Sequence, residues 1–215
     1  MARVKIGNVR HPIEYLRQLF APAGYGWGEV YGRGLQNVAE VNACVVGGVY
    51  TFAGGANSSV IVVNGIEIGY ANIMVAPFTN NEFTTQIMRP VVPTLDSLLI
   101  RHKSGETWGE WEWVNPPMAV GVEYRTTERW IGKPVYTKLI DCGNMLNAEP
   151  KTIAHGCEAI NVVRCHGATN LGTTIPYRWN DYYLSVSADR TNILICTNAD
   201  FSDQSCVVEL YYTKN

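Results

Sequence analysis

The sequence predicts an all-β protein with a short helix near its N-terminal end. Strand-like runs recur through most of the chain, Gly, Asn and Pro residues separate them, and several runs alternate between apolar and polar side chains. The only helical pattern lies in residues 11–20, where Ile13, Leu16 and Phe20 share one face. These observations favour antiparallel sheets, each with one buried face.

Length and composition narrow the possible architectures. A chain of 215 residues accommodates one large β domain or two small ones. Hydrophobic residues make up 47% and charged residues only 17%, which is below the usual quarter. Two interpretations stay open: part of the surface is hidden in an oligomer, or a compact β protein exposes many Thr, Asn and Tyr side chains.

Charge and cysteine content exclude several classes of protein. The net charge of −2 gives no electrostatic reason to expect nucleic acid or an anionic membrane as a partner. No apolar stretch is long enough to span a bilayer, and no secretory signal pattern is present. The six cysteines lack metal-site spacing, so buried free thiols are favoured over disulfides, and neither a metal nor a cofactor is expected.

Four segments are predicted along the chain. They are an N-terminal arm (1–20), a Gly- and Pro-rich linker (21–33), an antiparallel β domain (34–118) and a C-terminal β-sandwich (119–215). An Asn-Pro-Pro run ends the first β domain, because proline cannot donate to a ladder. The predicted strands are 47–52, 59–64, 71–78, 82–88, 98–102, 111–114, 122–129, 135–142, 159–166, 181–187, 191–197 and 205–213.

Three tryptophans lie within six residues, at Trp108, Trp111 and Trp113. Such a cluster is expected to be buried or partnered. Strand alternation predicts Trp111 and Trp113 on one face and Glu112 on the other. Core packing is the favoured interpretation, and stacking on a sugar or on another subunit is the alternative.

Residues 175–183 form a second aromatic cluster, which is predicted to be a loop. Rigid aromatic side chains mixed with polar groups are typical of recognition surfaces. The candidate recognition residues are Tyr177, Trp179, Asp181 and Tyr182. Burial of this cluster in an interface between subunits is an equally weighted alternative.

The sequence predicts no catalytic activity. It contains none of the short motifs of zinc proteases, α/β-hydrolases or nucleotide-binding loops. His155 lies in an Ala-His-Gly turn without an identifiable nucleophile or orienting acid, so we interpret it as structural. The carboxylates are scattered over predicted turns and exposed strand positions rather than paired.

Residues 34–118 contain a characteristic series of short motifs. They are Gly48-Val49-Tyr50, Ile61-Val62-Val63, Thr85-Gln86-Ile87 with Arg89, Ile100-Arg101, Ser104-Gly105 and Trp108-Gly109-Glu110-Trp111. Through these motifs the segment resembles the pyocin-knob domain found in tail fibres of bacteriophages and phage-like bacteriocins. Gly109 stands where the family usually has serine, and the opening stretch is reduced to Leu35-Gln36-Asn37. The resemblance implies structural roles for Gln86, Arg89, Trp108 and Trp111.

Residues 119–215 resemble the C-terminal module of phage tail and head fibres. The matching stretches are 132–136, 154–156 and 209–214. Fibres of this kind are homotrimers that attach to the virion at the N-terminal end and present the other end to a host surface. The resemblance therefore implies a homotrimer that is assembled in the bacterial cytoplasm and carried on the virion.

The predicted function is that of a short trimeric fibre or spike of a tailed bacteriophage. Its expected partners are its own copies, other virion proteins and a host surface glycan or protein. The anchoring residues are expected to be Arg3, Lys5, Arg10, Ile13, Leu16, Arg17 and Phe20, although a solvated tail is the simpler interpretation of this basic leader. The alternatives are a head or neck decoration fibre, a small glycan-degrading enzyme and a non-viral carbohydrate-binding module.

Overall fold

The computed structural model describes residues 33–78, 82–91, 95–158 and 160–215, without the side chains of Arg33 and Trp179. Nearly all of its regular structure is β, which confirms the predicted fold class. The chain divides into two compact units, Met1–Trp111 (unit 1) and Glu112–Asn215 (unit 2), whereas the sequence places the boundary after residue 118.

The described part of unit 1 contains one main sheet, one helix and one separate hairpin. Its elements are β1 (Arg33–Leu35), α1 (Val38–Ala43), β2 (Gly48–Phe52), a 3₁₀ turn (Gly54–Asn57), β3 (Ile61–Val63), β4 (Ile66–Ile68), β5 (Ala71–Pro77), β6 (Phe83–Pro90), β7 (Leu99–Ser104) and β8 (Thr107–Trp108). The main sheet has the order β1-β2-β5-β6-β7, with β8 paired to β7, while β3 and β4 pair with each other. Only β1 and β2 run parallel among these pairs.

One face of the main sheet of unit 1 is buried. The register aligns Tyr50, Ile73, Met88 and Leu99 across β2, β5, β6 and β7. All four side chains are at most 4% exposed. This inner face follows from strand alternation, since every second residue of β5 is buried.

The short helix α1 begins directly after Leu35-Gln36-Asn37, the stretch where the resemblance is weakest. The Asn37 side chain accepts a hydrogen bond from the Glu40 amide at 2.9 Å, and the Glu40 carboxylate accepts one from the Gln36 amide at 2.6 Å. This reciprocal capping fixes the start of the helix. The sequence does not predict α1, because a helix of six residues is too short to show a clear helical period of apolar residues.

The elements of unit 2 form two sheets. They are β9 (Glu112–Trp113), β10 (Glu123–Trp130), β11 (Lys133–Asn144), β12 (Lys151–Ala154), β13 (Ile160–Thr169), β14 (Thr174–Ile175), β15 (Tyr177–Trp179), β16 (Tyr182–Ala188), β17 (Asn192–Thr197) and β18 (Ser205–Lys214). Within this unit one sheet has the order β9-β10-β11-β18-β13-β14, and the other has the order β12-β17-β16-β15.

Both sheets of unit 2 contribute to a single hydrophobic core. Leu184 and Ile193 come from the β12-β17-β16-β15 sheet, while Ile160, Val208 and Leu210 come from the other sheet. All five are fully buried. The two sheets therefore pack face to face, as the alternation of apolar residues in β18 predicts.

The cysteines are free thiols, in agreement with the favoured sequence interpretation. Cys44, Cys142 and Cys206 are buried, whereas the other three are partly buried. Buried thiols of this kind act as small apolar side chains in the core.

The predicted strand 111–114 is shorter in the structure, and the predicted orientation of Glu112 is wrong. Of these four residues only Glu112 and Trp113 form a strand, and Glu112 is buried at 5% exposure instead of facing solvent. Its carboxylate accepts hydrogen bonds from Arg125 Nε at 2.9 Å and from Arg129 Nη2 at 2.7 Å. These two guanidinium groups compensate the buried charge, so the simple alternation of polar and apolar residues fails here.

Candidate functional site

A buried polar network in unit 1 is centred on Gln86. Strand β6 places this residue on the inner face of the sheet, where it is fully buried. Its Nε2 donates hydrogen bonds to the carbonyls of Val41 and Cys44, both at 2.8 Å. Because these carbonyls lie at the C-terminal end of α1, the glutamine joins the helix end to the sheet.

Arg101 pairs with Gln86 in the antiparallel ladder between β6 and β7. Its Nε and Nη2 donate to Gln86 Oε1 at 2.9 and 2.8 Å, and Nη2 also donates to Asn42 Oδ1 at 2.9 Å. Burial lowers the pKa of Arg101 to about 10. The guanidinium therefore stays charged at neutral pH, with amide oxygens as its hydrogen-bond acceptors.

Two tryptophans cover the charged group of Arg101. The ring centroids of Trp108 and Trp111 each lie 4.4 Å from the guanidinium carbon, so both contacts are cation–π interactions. The Trp108 indole also donates to the Asn42 carbonyl at 2.8 Å. Gly105, with a φ of 60°, forms the turn that brings β8 back to β7. The motif tryptophans thus pack on a buried cation.

Arg89, which the sequence analysis assigns to this motif, lies outside the network. It is on the opposite face of β6 from Gln86, and its side chain is 66% exposed. It forms an ion pair of 3.3 Å with Asp96, which is itself 91% exposed. The arginine in the network is Arg101. The sequence could have indicated Arg101, because it lies two residues after the buried Leu99 and therefore on the same face of β7. Nothing local in the sequence points to Asn42.

The aromatic cluster at residues 175–183 is a β-hairpin, so the predicted loop is wrong. Strands β15 and β16 pair with Trp179 opposite Tyr182, and Asn180 at the turn has a φ of 51°. Asparagine tolerates this left-handed conformation, which a tight hairpin turn requires. Asn198 binds the tip twice, since its Nδ2 donates to the Asp181 carbonyl at 2.6 Å and its Oδ1 accepts from the Tyr183 amide at 2.8 Å.

The hairpin separates the predicted receptor-binding residues. Asp181 and Tyr182 are exposed, the latter at 55%, whereas Tyr177 is partly buried against the core of unit 2. For Trp179 only the backbone position beside Tyr182 is described. Tyr183, 41% exposed, is an additional surface aromatic that the prediction did not select.

A surface network on unit 2 lies around Tyr211. The guanidinium carbon of Arg164 is 3.7 Å from the Tyr211 ring centroid, and its two terminal nitrogens donate to the two carboxylate oxygens of Glu128 at 2.8 Å. These hydrogen bonds lower the pKa of Glu128. His166 also stacks on the Tyr211 ring, and its Nε2 lies 3.1 Å from Glu209 Oε2.

His155 has a structural environment. It is 2% exposed, its Nδ1 accepts a hydrogen bond from the Cys157 amide at 3.0 Å, and its Nε2 lies 3.4 Å from the Asp189 carbonyl oxygen. Gly156 follows with a φ of 65°, as a turn at this position requires. Both ring nitrogens thus have local backbone partners.

The proposed anchoring residues Arg3, Lys5, Arg10, Ile13, Leu16, Arg17 and Phe20 lie outside the described residues. Within the described ranges, no group of three or more His, Cys, Asp or Glu side chains is arranged to hold a metal ion. None of the described helices has the length and apolar character needed to cross a bilayer.

Comparison with known proteins gives similarity only at the level of solved structures. No protein-family profile and no curated protein sequence matches the chain. An N-truncated R2-type pyocin tail fibre is 11% identical, with 86% of this chain and 95% of that chain covered and a TM-score of 0.28. A C-terminal part of the Pseudomonas aeruginosa R1 pyocin fibre is 8% identical, with 86% of this chain and 67% of that chain covered and a TM-score of 0.28. A C-terminal part of the R2 pyocin fibre is 12% identical, with 99% of this chain and 70% of that chain covered and a TM-score of 0.29. Because these values are low, any inference about function rests on the chain's own residues.

Proposed function

We propose that this chain is a structural virion protein that forms a short trimeric fibre or spike of a tailed bacteriophage and attaches it to the host cell surface. It acts by binding and not by catalysis. Unit 1 is a spacer or adaptor, and the exposed hairpin of unit 2 contacts the host. The N-terminal arm connects the fibre to other proteins of the particle.

The network around Arg101 is the observation that carries the proposal. The residues of the knob resemblance come from separate stretches of the sequence, yet the buried Gln86 and Arg101 and the partly buried Trp108 and Trp111 meet in one cluster. A chance match of short motifs would not be expected to assemble in this way. The motif therefore has a common physical purpose here, which is to hold α1 against the sheet.

The hairpin of β15 and β16 supports the role in attachment. It exposes Tyr182 and Tyr183 beside Arg178 and Asp181. Tyrosine combines a large rigid contact area with a hydroxyl group, and it loses little conformational entropy on binding. Because the hairpin is a small surface, we expect a single copy to bind with modest affinity. Three copies tethered in one fibre would bind with higher avidity.

Attachment is tested by binding the purified full chain to host cells and comparing Tyr182→Ala with the wild type. We expect at least a tenfold loss of binding, as for an aromatic hot spot. Tyr70→Ala is the matched control, since Tyr70 is also exposed, at 46%, but lies in unit 1. Unchanged binding of a correctly folded Tyr182→Ala protein would contradict the receptor role of the hairpin.

Particle location and oligomeric state are tested separately. Immunogold electron microscopy of intact virions should place the protein on the tail, whereas labelling on the head or neck would favour a decoration fibre. Multi-angle light scattering should give three times the chain mass of 23.9 kDa. A monomer at micromolar concentration would contradict the proposed trimer.

A further inference from the structure

The outer face of the main sheet in unit 1 carries a continuous apolar row. The register aligns Val49 with Met74, Met74 with Ile87, and Ile87 with Ile100, across β2, β5, β6 and β7. Val49 is 62% exposed and Met74 46%, while Ile87 and Ile100 are partly exposed. We call these four residues the outer row. It lies on the face opposite the buried row of Tyr50 and its partners.

Two phenylalanines extend this apolar surface toward one end of β5. Ala76 and Phe78 follow Met74 at two-residue intervals and are exposed, Phe78 at 74%. Phe83 lies across the ladder from Phe78, because the Phe78 amide donates to the Phe83 carbonyl at 2.7 Å. Phe83 is 50% exposed. The outer row and the two phenylalanines therefore belong to one surface.

An apolar outer face is unusual in a sheet of this kind. An antiparallel sheet with one buried face normally has polar residues on the other. Here the inner face already forms the core of unit 1, so the fold of the unit does not require apolar residues outside. An exposed apolar surface formed by several neighbouring side chains is typical of an interaction site.

We infer that a second copy of this chain packs on the outer face of the unit 1 sheet, with the outer row at the centre of the contact. The inference rests on the proposed trimer and names the surface that would form it. In a trimer the outer rows of the copies would converge near the symmetry axis, where equivalent residues meet.

The size of the patch suits such a contact. With about 150–250 Å² of area for a whole aromatic side chain, the exposed parts of Phe78, Phe83, Val49 and Met74 amount to on the order of 400 Å². A standard interface buries about 800 Å² per partner, of which about 57% is apolar. The patch thus supplies the apolar area that a stable contact between two copies needs.

The outer row has polar neighbours on both sides. On one side lie Thr51, Asn72 and Arg89. On the other side, between the outer row and the two phenylalanines, lie Thr85 and His102, which are joined by a contact of 3.0 Å between Thr85 Oγ1 and His102 Nδ1. A hydrophobic centre with a polar border is the usual anatomy of a protein–protein interface. The aliphatic centre suits another apolar protein surface better than a sugar, which needs polar partners.

The test compares Val49→Glu combined with Met74→Glu against Val62→Glu in the full chain. Val62 is the matched control because it is a strand valine with 59% exposure outside the main sheet. We expect light scattering to show at least a tenfold weaker self-association for the double variant and no change for Val62→Glu. Circular dichroism checks that both variants stay folded.

A second measurement decides the question if the double variant does not fold. Benzoylphenylalanine at position 74 should give a cross-linked species of at least two chains on irradiation, whereas the same group at position 62 should not. A wild-type monomer would overturn the proposed trimer together with this inference. An oligomer that survives the double substitution, or that forms no cross-link from position 74, would overturn this inference alone.

Discussion

The two units fix their elements by different means. In unit 1, the end of α1 is held by hydrogen bonds from Gln86, which in turn binds the buried cation of Arg101. In unit 2, the two sheets meet through an apolar core that includes Leu184 and Leu210. A polar network fixes geometry because few arrangements satisfy all its groups, whereas apolar burial is less directional. We therefore expect the stability of unit 1 to depend more on which polar groups are present, and the stability of unit 2 to depend more on the volume of its core side chains.

The largest effect is expected for Gln86→Leu. This change removes Gln86 Oε1, which accepts two hydrogen bonds from Arg101, and the donor to the helix carbonyls. The buried guanidinium then keeps only the Asn42 acceptor and the two tryptophan rings among the partners described above. We expect a loss of about 3–5 kcal/mol in the free energy of unfolding. Urea unfolding followed by tryptophan fluorescence measures it, because Trp108 and Trp111 contact the affected guanidinium.

Arg89→Gln is the control for this prediction. It removes a charged partner from the exposed ion pair with Asp96, so we expect a change below about 1 kcal/mol. Equal losses for Gln86→Leu and Arg89→Gln would show that the buried network does not hold unit 1 together.

Leu210→Ala should have the next largest effect. Leu210 is fully buried in the core shared by the two sheets of unit 2, so its truncation should cost about 3 kcal/mol. Hydrogen exchange measured by mass spectrometry should increase in the peptides of β11 and β18. Leu194→Ala, at a position 38% exposed, serves as the comparison, with an expected loss below about 1 kcal/mol. If the two truncations were equally mild, the shared core would not be the source of stability.

The smallest effect is expected at the Glu128–Arg164 pair. The pKa of Glu128 is lowered in the folded chain, mainly by its hydrogen bonds from Arg164. The pair therefore stabilises the fold above the ordinary pKa of glutamate, and this contribution disappears as the pH falls through the lowered value. Both side chains are almost half exposed, so we expect less than about 1 kcal/mol.

Thermal unfolding of wild type and Glu128→Gln over a series of pH values measures this contribution. The difference should be present at neutral pH and vanish in strong acid. Arg164→Gln should remove the same pH-dependent difference. A difference that grows on acidification would have the opposite sign to the one that the geometry requires.

The long strands were predictable from the sequence because their alternation is regular. In β18 the buried positions follow every second residue from Cys206 to Tyr212, and the prediction of 205–213 is close to the observed Ser205–Lys214. None of the predicted strands covers β1, β4, β8, β12, β14 or β15, which are two to four residues long. Runs this short contain only one or two periods of the two-residue alternation, so their pairing partners decide whether they form strands.

The candidate sites were predictable only in part, for a related reason. The tryptophan cluster indicates a buried partner, but the partner Arg101 and the supporting Asn42 come from other segments of the chain. Strand alternation placed Glu112 on the face opposite Trp111 and Trp113, and nothing in the sequence indicated that Arg125 and Arg129 come close enough to stabilise its buried carboxylate. The resemblance implied a structural role for Arg89, but this residue lies on the opposite face of β6 from Gln86 and outside the network.

The two hydrogen bonds from Asn198 to the hairpin have a consequence for molecular recognition. They hold the main chain at Asp181 and Tyr183 before any partner arrives. A rigid hairpin tip loses less conformational entropy on binding than a flexible loop does, so more of the contact energy appears as affinity. In the proposed attachment, the main chain of the hairpin tip would thus keep its conformation on binding, and the receptor would have to be complementary to that conformation.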